Sequence, residues 1–186
     1  MYSDPRILDL VERHRYGDVD AFEEIYERYE AMVFNLAWRL CGDPTEAQDL
    51  AQEAFLRVYR HLERFQGRSS LKTWIYRVAL NTCRSSLGRK KWRSVPLAEE
   101  EGAEGLVLVD TRRTPEERAV ATSAGEQVLE SLALIPRKFR EAVVLRDLEG
   151  LTYTEMADVL GVRIGTVRSR IARGRKRLRD LMETRA

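Results

Sequence analysis

Residues 151–171 read LTYTEMADVLGVRIGTVRSRI, and their pattern indicates the class of fold. Thr152 with Glu155 three residues later predicts the capped start of a short helix. Gly161 supplies a tight turn, and a longer helix follows from about Ile164. A capped short helix, a glycine turn and a second helix together predict a helix-turn-helix. Such a motif places the start of its second helix in the major groove of DNA.

The outward side chains at the start of that second helix carry groups suited to DNA. Arginine can read guanine bidentately in the major groove, and Ser or Thr can contact a base or a phosphate. We define the recognition face as Thr166, Arg168, Ser169, Arg170, Ala172 and Arg173. The structural alternative is a helical hairpin with a basic exposed side. The cap, the small Ala157 at the helix crossing, the glycine turn and the arginine cluster occur together, which favours DNA reading.

Basic residues are concentrated in two blocks that contain no acidic residue. The net charge is only +2, yet nine basic residues lie within 64–93 and eight lie within 163–179. The compensating carboxylates lie within 18–30, 43–53 and 99–104. Two separate basic surfaces predict contact with a polyanion at two places.

Apolar residues recur at spacings of three and four along most of the chain, which predicts helices. The predicted N-caps of the first four helices are Asp4, Asp20, Asp43 and Ser70. Glu23, three residues after Asp20, completes a predicted capping box. Four further helices are expected over residues 116–133, 137–148, 152–160 and 164–182. No strand-like alternation is present, so the predicted class is all-α.

Residues 95–114 differ in character, because they contain Pro96, several glutamates and two glycines without any helical period. A segment of ~20 residues is too long for an ordinary connection inside a compact domain. We therefore predict two small helical domains joined by a flexible acidic linker over 95–114. The first is an N-terminal helical bundle over 1–94, and the second is a helix-turn-helix domain over 115–186.

The basic block at 64–93 has aromatic residues interleaved with its cations, at Phe65, Trp74, Tyr76 and Trp92. Aromatic faces beside cations suit single-stranded DNA, whose unstacked bases need a stacking surface. Trp74 also fits the apolar pattern of its helix, so a core position and a nucleic-acid contact both remain open for it. The polar break at 66–70 can form a loop beside this surface.

Asp49, Gln52 and Glu53 lie on one side of the third helix, at positions i, i+3 and i+4. We call these three residues the acidic patch. Such a patch is usually solvent-facing, and it can also dock a basic helix of a partner protein.

Enzymatic chemistry is not indicated. His14 and His61 lie far apart, and no metal-ligand spacing, phosphate loop or nucleophile elbow is present. We expect no catalytic residue, metal, cofactor or small-molecule substrate. Residues 1–6 are polar and no apolar run approaches ~18 residues, so we expect no export signal or membrane insertion and a cytoplasmic protein. Cys41 and Cys83 are expected to be buried thiols.

Three segments resemble extracytoplasmic-function (group IV) sigma factors of bacterial RNA polymerase. Residues 46–67, EAQDLAQEAFLRVYRHLERFQG, and residues 71–82, LKTWIYRVALNT, resemble the second conserved region of that family. Residues 165–174, GTVRSRIARG, resemble the recognition helix of its fourth region. The resemblance covers residues 18–93 and 115–181, in the family's order.

The resemblance implies a transcription initiation factor that directs core RNA polymerase to promoters and helps open the minus-ten region. The acidic patch would bind the clamp helices of the largest polymerase subunit, and the fourth region would meet the flap region. The recognition face would read the minus-thirty-five element as duplex. An anti-sigma factor is a further implied partner.

The same resemblance assigns the melted non-template strand of the minus-ten element to a surface of the first domain. We define this basic-aromatic surface as Phe65, Arg68, Ser69, Lys72, Trp74, Arg77, Asn81 and Arg84. The sequence departs from the family pattern in two places. Ser85 and Gly88 stand where Asp and Arg are frequent, and Arg163 stands where a small capping residue is common, which weakens that helix cap by ~1 kcal/mol.

The alternative function is a stand-alone helix-turn-helix regulator that binds duplex operators as a dimer. Such a protein needs a dimerisation surface and binds duplex by itself. A sigma factor instead needs core polymerase for specific binding, so the two functions are separable by experiment.

Overall fold

The computed structural model describes residues 4–93 and 124–184. Every regular element in these two ranges is helical, which confirms the predicted all-α class. The elements are α1 (Pro5–Arg15), α2 (Val19–Cys41), α3 (Pro44–His61), a 3-10 turn (Leu62–Arg64), α4 (Leu71–Arg93), α5 (Ala124–Leu134), α6 (Arg137–Val143), a π turn (Val144–Leu148), α7 (Tyr153–Leu160) and α8 (Ile164–Glu183). None of the helices in the described ranges is long and apolar enough to cross a membrane.

Side-chain caps fix where the helices of the first half begin. Three predicted caps are confirmed, because the next turn donates a backbone N–H to the side chains of Asp4, Asp43 and Ser70. The fourth was wrong. Asp18, not Asp20, caps α2, since its carboxylate accepts from Ala21 N at 3.3 Å. The helix therefore begins at Val19, and Glu23 has no part in a capping box.

The described residues divide into two compact units, of which the first contains residues 4–93 together with residues 158–161. In it, α2 packs against α1, α3 and α4, and α3 also packs against α4. Apolar spacing explains this arrangement, because each helix turns one stripe inward. The fully buried side chains include Ile25, Leu36, Val58, Leu62, Leu71, Ile75 and Leu80.

The second unit contains the described residues 124–157 and 162–184. Its helix α8 packs against α5 and α6. At the α6–α8 crossing the backbones approach closely, because a Cβ added at Gly174 would lie 2.5 Å from Val143 Cγ2 and 3.0 Å from the Phe139 carbonyl oxygen. The core includes Leu132, Ile135, Val144, Leu145, Met156 and Val167.

One predicted helix differs in its geometry. The helix expected over 137–148 keeps α geometry only to Val143 and then forms a π turn, after which Glu149 N donates to the Val144 carbonyl at 3.0 Å. The predicted linker at 95–114 and the start of the helix expected from 116 lie outside the described residues. The domain boundaries at 94 and 115 therefore stay predictions.

Candidate nucleic-acid interface

The helix-turn-helix is formed by α7, a left-handed glycine and α8. Thr152 N donates to Glu155 Oε2 at 2.8 Å, and Glu155 N donates to Thr152 Oγ1 at 3.3 Å, which confirms the predicted capping box. Gly161 adopts φ +69°, a conformation that favours glycine because it has no Cβ. Val162 N then donates to the Ala157 carbonyl at 3.1 Å and closes the turn.

The buried side of α8 determines which residues face outward. Val167 and Ile171, four residues apart, are at most 3% exposed and pack inward. Four residues of the recognition face are exposed, namely Arg168, Ser169, Ala172 and Arg173, whereas Thr166 and Arg170 are half-buried. The six predicted residues thus lie on the outer side and flanks of one helix.

The start of α8 is capped poorly. Arg163 occupies the N-cap in an extended conformation, and its side chain makes no capping hydrogen bond. The first backbone N–H groups of α8 therefore receive no acceptor from that side chain. An uncapped helix N-terminus attracts anions, including phosphate, through these N–H groups and the helix dipole.

Tyr153 lies beside the recognition face and was missed in the sequence. The guanidinium of Arg146 lies 5.0 Å from the centre of its ring, and that of Arg168 lies 5.9 Å from the same centre. Arg146 is itself fixed, since its Nη1 donates to the Leu151 carbonyl at 2.7 Å. Arg146 lies in the π turn, Tyr153 in α7 and Arg168 in α8, so no single helical period relates the three positions. Only the tertiary fold brings them together.

Another arginine of α8 is already paired within the unit. Arg175 donates from Nε to Asp147 Oδ2 at 2.9 Å and from Nη2 to the other carboxylate oxygen. These hydrogen bonds to Asp147 raise the pKa of Arg175 above its usual value. Asp147 therefore offsets part of the Arg175 charge at the surface of the unit.

The basic-aromatic surface lies mainly on one side of α4. Arg77, Asn81 and Arg84 follow Trp74 by three, seven and ten residues, so all four share a helix face. Lys72 is about 160° around the helix from Trp74 and does not join them. Its Nζ lies 5.8 Å from the centre of the Tyr76 ring instead.

The loop before α4 contributes the remaining residues of this surface. Arg68 is exposed and Ser69 is half-buried. Phe65 is only 4% exposed, and its ring centre lies 5.7 Å from that of Trp74. Burial favours a supporting role for the Phe65 ring over direct stacking on a base. Its assignment as a DNA contact stays a prediction, as do those of the other residues of the surface.

The acidic patch lies on the outer side of α3. Asp49 and Gln52 are exposed, and Glu53 accepts a hydrogen bond from Arg57 Nε at 2.9 Å. Leu56 continues the same side of the helix and is 52% exposed. The exposure of Leu56 was not predicted, although the helical spacing places this residue outside the buried stripe of α3. An exposed leucine beside carboxylates is typical of a surface that binds a protein.

The fold and its surfaces define a two-unit, all-helical protein that contains a helix-turn-helix formed by α7, Gly161 and α8. The sequence pattern of Sigma-70 region 2 matches residues 25–93, and that of Sigma-70, region 4 matches residues 125–178. The chain is 34% identical over 183 residues to the ECF RNA polymerase sigma factor SigW of Bacillus subtilis, covering 94% of this chain and 98% of SigW.

A second relative agrees with the first. The chain is 38% identical over 180 residues to the RNA polymerase sigma-H factor of Pseudomonas aeruginosa, covering 95% of this chain and 93% of that protein. This protein therefore belongs to the ECF sigma factors, the extracytoplasmic-function family of RNA polymerase sigma factors that act in transcription initiation. The alternative of a stand-alone regulator is not favoured.

Two solved structures share the fold. CnrH in complex with the cytosolic domain of CnrY has a TM-score of 0.71 and 22% identity, covering 98% of this chain and all of CnrH. The sigma factor RpoE in complex with the anti-sigma factor NepR, from Bartonella quintana, has a TM-score of 0.68 and 23% identity, covering 89% of this chain and 98% of RpoE.

Proposed function

We propose that this sigma factor divides promoter recognition between its two units, with core polymerase bound to the first. The second unit reads the minus-thirty-five element as duplex through the recognition face. The first unit holds the melted non-template strand of the minus-ten element on the basic-aromatic surface. The observation that carries the proposal is the presence of two exposed cationic surfaces, one on each unit. The recognition face lies on a single helix, whereas the basic-aromatic surface combines a loop with α4.

Duplex reading is supported by the chemistry of the recognition face. Arg173 is exposed and Arg168 lies over Tyr153, so both guanidinium groups are presented outside the core. The poorly capped start of α8 adds backbone N–H groups, which suit a promoter phosphate. Base reading by arginine and phosphate contact by the helix start together orient a helix in the major groove.

Strand capture is supported by the composition of the α4 face. Trp74 offers a half-buried ring, and Arg77 and Asn81 are exposed on the same side. Aromatic stacking contributes about 1–3 kcal/mol per base in single-strand binding, and cations alongside hold the backbone. Asn81 can in addition hydrogen-bond the edge of an unpaired base.

Core docking is proposed for the acidic patch together with Leu56. The patch offers carboxylate and amide oxygens around an exposed apolar side chain, which suits a helix carrying basic and apolar residues. Glu53 is half-buried, and the hydrogen bond that it accepts from Arg57 favours one orientation of its carboxylate. We place the clamp helices of the largest polymerase subunit here and the flap region against the second unit.

The test is gel filtration of the purified chain with core bacterial RNA polymerase, using Glu53→Lys and the matched control Glu27→Lys. Glu27 is exposed on α2, so the control makes the same charge change outside the patch. We expect Glu53→Lys to lower core affinity at least about 100-fold, because like charges then face each other across the interface. Glu27→Lys should co-elute normally. Equal retention of both variants would remove the patch from the interface.

Promoter duplex retention with and without core completes the test. Specific binding only in the complex supports the proposal, whereas tight binding by the chain alone as a dimer would favour the regulator. We also propose an anti-sigma protein as a partner and the cytoplasm as the location. The structurally similar RpoE and CnrH were each solved with a bound protein, in one case an anti-sigma factor.

A further inference from the structure

The C-terminal end of α1 is joined to the backbone where α3 and the 3-10 turn end. Arg15 donates from Nε to the Glu63 carbonyl at 3.0 Å and from Nη2 to the Phe65 carbonyl at 2.6 Å. Just before it, His14 Nε2 lies 3.4 Å from the Tyr59 carbonyl oxygen. The last carbonyls of a helix have no partner inside the helix. Two side chains of α1 therefore supply partners to a corner some 50 residues further along the chain.

The Arg15 contacts lie at the base of the loop that carries part of the basic-aromatic surface. Phe65, whose carbonyl accepts from Arg15, packs its ring against Trp74. The loop then continues through Gly67, where an added Cβ would lie 3.9 Å from Leu8 Cδ2 of α1. A continuous path of contacts thus runs from α1, through the backbone and ring of Phe65, to Trp74.

We propose that Arg15 is a positioning residue for strand capture, an inference that rests on the proposed function. By holding the Glu63 and Phe65 carbonyls in one fixed fork, it orders the loop at residues 66–70 and sets the Trp74 ring before DNA arrives. Ordering a loop during binding lowers affinity, because the lost conformational freedom opposes association. A loop ordered in advance captures the strand without that loss.

The matched control is Arg13, two residues earlier on the same helix. Its Nε donates to Asp18 Oδ2 at 2.8 Å, an exposed pair at the α1–α2 turn. Arg13→Gln and Arg15→Gln remove the same charge from the same helix. Only Arg15→Gln removes contacts to the loop. A general effect of charge or of α1 stability would therefore appear in both variants.

The first measurement is hydrogen exchange of the free chain at the amides of Phe65, Thr73 and Trp74, which flank the loop and donate to Leu62 and Ser70, at a temperature where circular dichroism shows both variants fully folded. We expect about tenfold faster exchange at these amides in Arg15→Gln, because hydrogen bonds from a charged donor are among the stronger ones. Exchange in Arg13→Gln should match the wild type. Wild-type exchange in Arg15→Gln would overturn the inference whatever the chain does with DNA.

The second measurement uses holoenzyme and a single-stranded oligonucleotide carrying the non-template minus-ten sequence. We expect Arg15→Gln to weaken capture about five- to tenfold, while core affinity and binding to an upstream duplex stay unchanged. Arg15→Lys should be intermediate, since one ammonium lacks the rigid two-donor fork. Arg13→Gln should capture like the wild type.

Two results would overturn the positioning role. One is capture by Arg15→Gln equal to that by Arg13→Gln. The other is a loss of core affinity in Arg15→Gln that matches its loss of capture, because this would make the contact a support of the whole unit. A wild-type holoenzyme that captures no strand would instead contradict the proposed function, and the exchange result would still report on the Arg15 contacts.

Discussion

The two candidate DNA surfaces are built in opposite ways. The recognition face lies within eight residues of a single helix, and the buried Val167 and Ile171 on the other side are enough to orient it. The basic-aromatic surface joins a loop to α4, and Arg15 holds that loop from α1. A surface on one helix keeps its geometry as long as that helix is placed correctly. A surface assembled from several elements depends on contacts far from the DNA.

Arg173→Ala should have the largest effect on the recognition face and none on the other surface. We expect promoter binding by the holoenzyme to fall about 10- to 100-fold, the range for losing a bidentate guanine contact. The measurement is holoenzyme affinity for a promoter and for the same promoter with a scrambled upstream element, on which little should be lost.

The control for this substitution is Arg179→Ala, on the same helix and also exposed. Arg179 lies nearly two turns beyond the recognition face, so its loss should be small and equal on both promoters. An equal loss from Arg173→Ala on both would assign Arg173 to the phosphate backbone and weaken the contrast between the surfaces.

Gly174→Ala tests how much stability the close packing of α8, the helix that carries the recognition face, contributes to the second unit. The new Cβ would meet Val143 and the Phe139 backbone, so we expect the second unit to lose about 2 kcal/mol of its free energy of unfolding. Urea denaturation of the full chain measures this. Gly88→Ala in α4 has open space around its Cβ and should be neutral or stabilising by about 0.5–1 kcal/mol. Unchanged stability in Gly174→Ala would mean that α6 and α8 separate at little cost.

Tyr153→Leu should have the smallest effect. It tests whether DNA binding by the recognition face depends on a side chain outside α8. Its ring attracts the Arg168 guanidinium, an interaction of about 0.5–1 kcal/mol at an exposed site, so upstream binding should weaken about threefold. A double-mutant cycle with Arg168→Ala measures the coupling. Tyr153→Phe, which keeps the ring, should bind like the wild type. Additive losses in the cycle would show that Arg168 acts without the ring.

Local sequence signals predicted the helices well, and they failed where a choice depended on neighbours. Asp4 and Asp43 are each followed by proline, which fixes the helix start, so those caps were correctly assigned. Asp18 and Asp20 are both acceptable caps by local chemistry. Asp18 is in addition paired with Arg13, and it is Asp18 that caps α2. The π turn after Val143 has no marker in the spacing of apolar residues.

The candidate sites divide along the same line. The outward position of the recognition face was predictable because its residues follow from one helical period, and its contacts with DNA stay a prediction. The contacts of Arg15 and the stack on Tyr153 join positions distant in sequence, so no local pattern predicts them. Leu56 is intermediate, because its exposure follows from helical spacing once the buried stripe of α3 is drawn.

The Asp147–Arg175 pair limits how strongly promoter binding by the second unit can depend on salt. Each phosphate neutralised by a cation of the protein releases condensed counterions, and the slope of log affinity against log salt is about −0.9 per contact in duplex DNA. Eight basic residues lie between 163 and 179, and Arg175 already holds a carboxylate, which leaves seven. If all seven contact phosphates, this stretch contributes about −6 to the slope of log affinity against log salt, and this is its upper limit. The substitution Asp147→Asn frees Arg175 for one more phosphate contact, so the limit of the slope should become steeper by about 0.9.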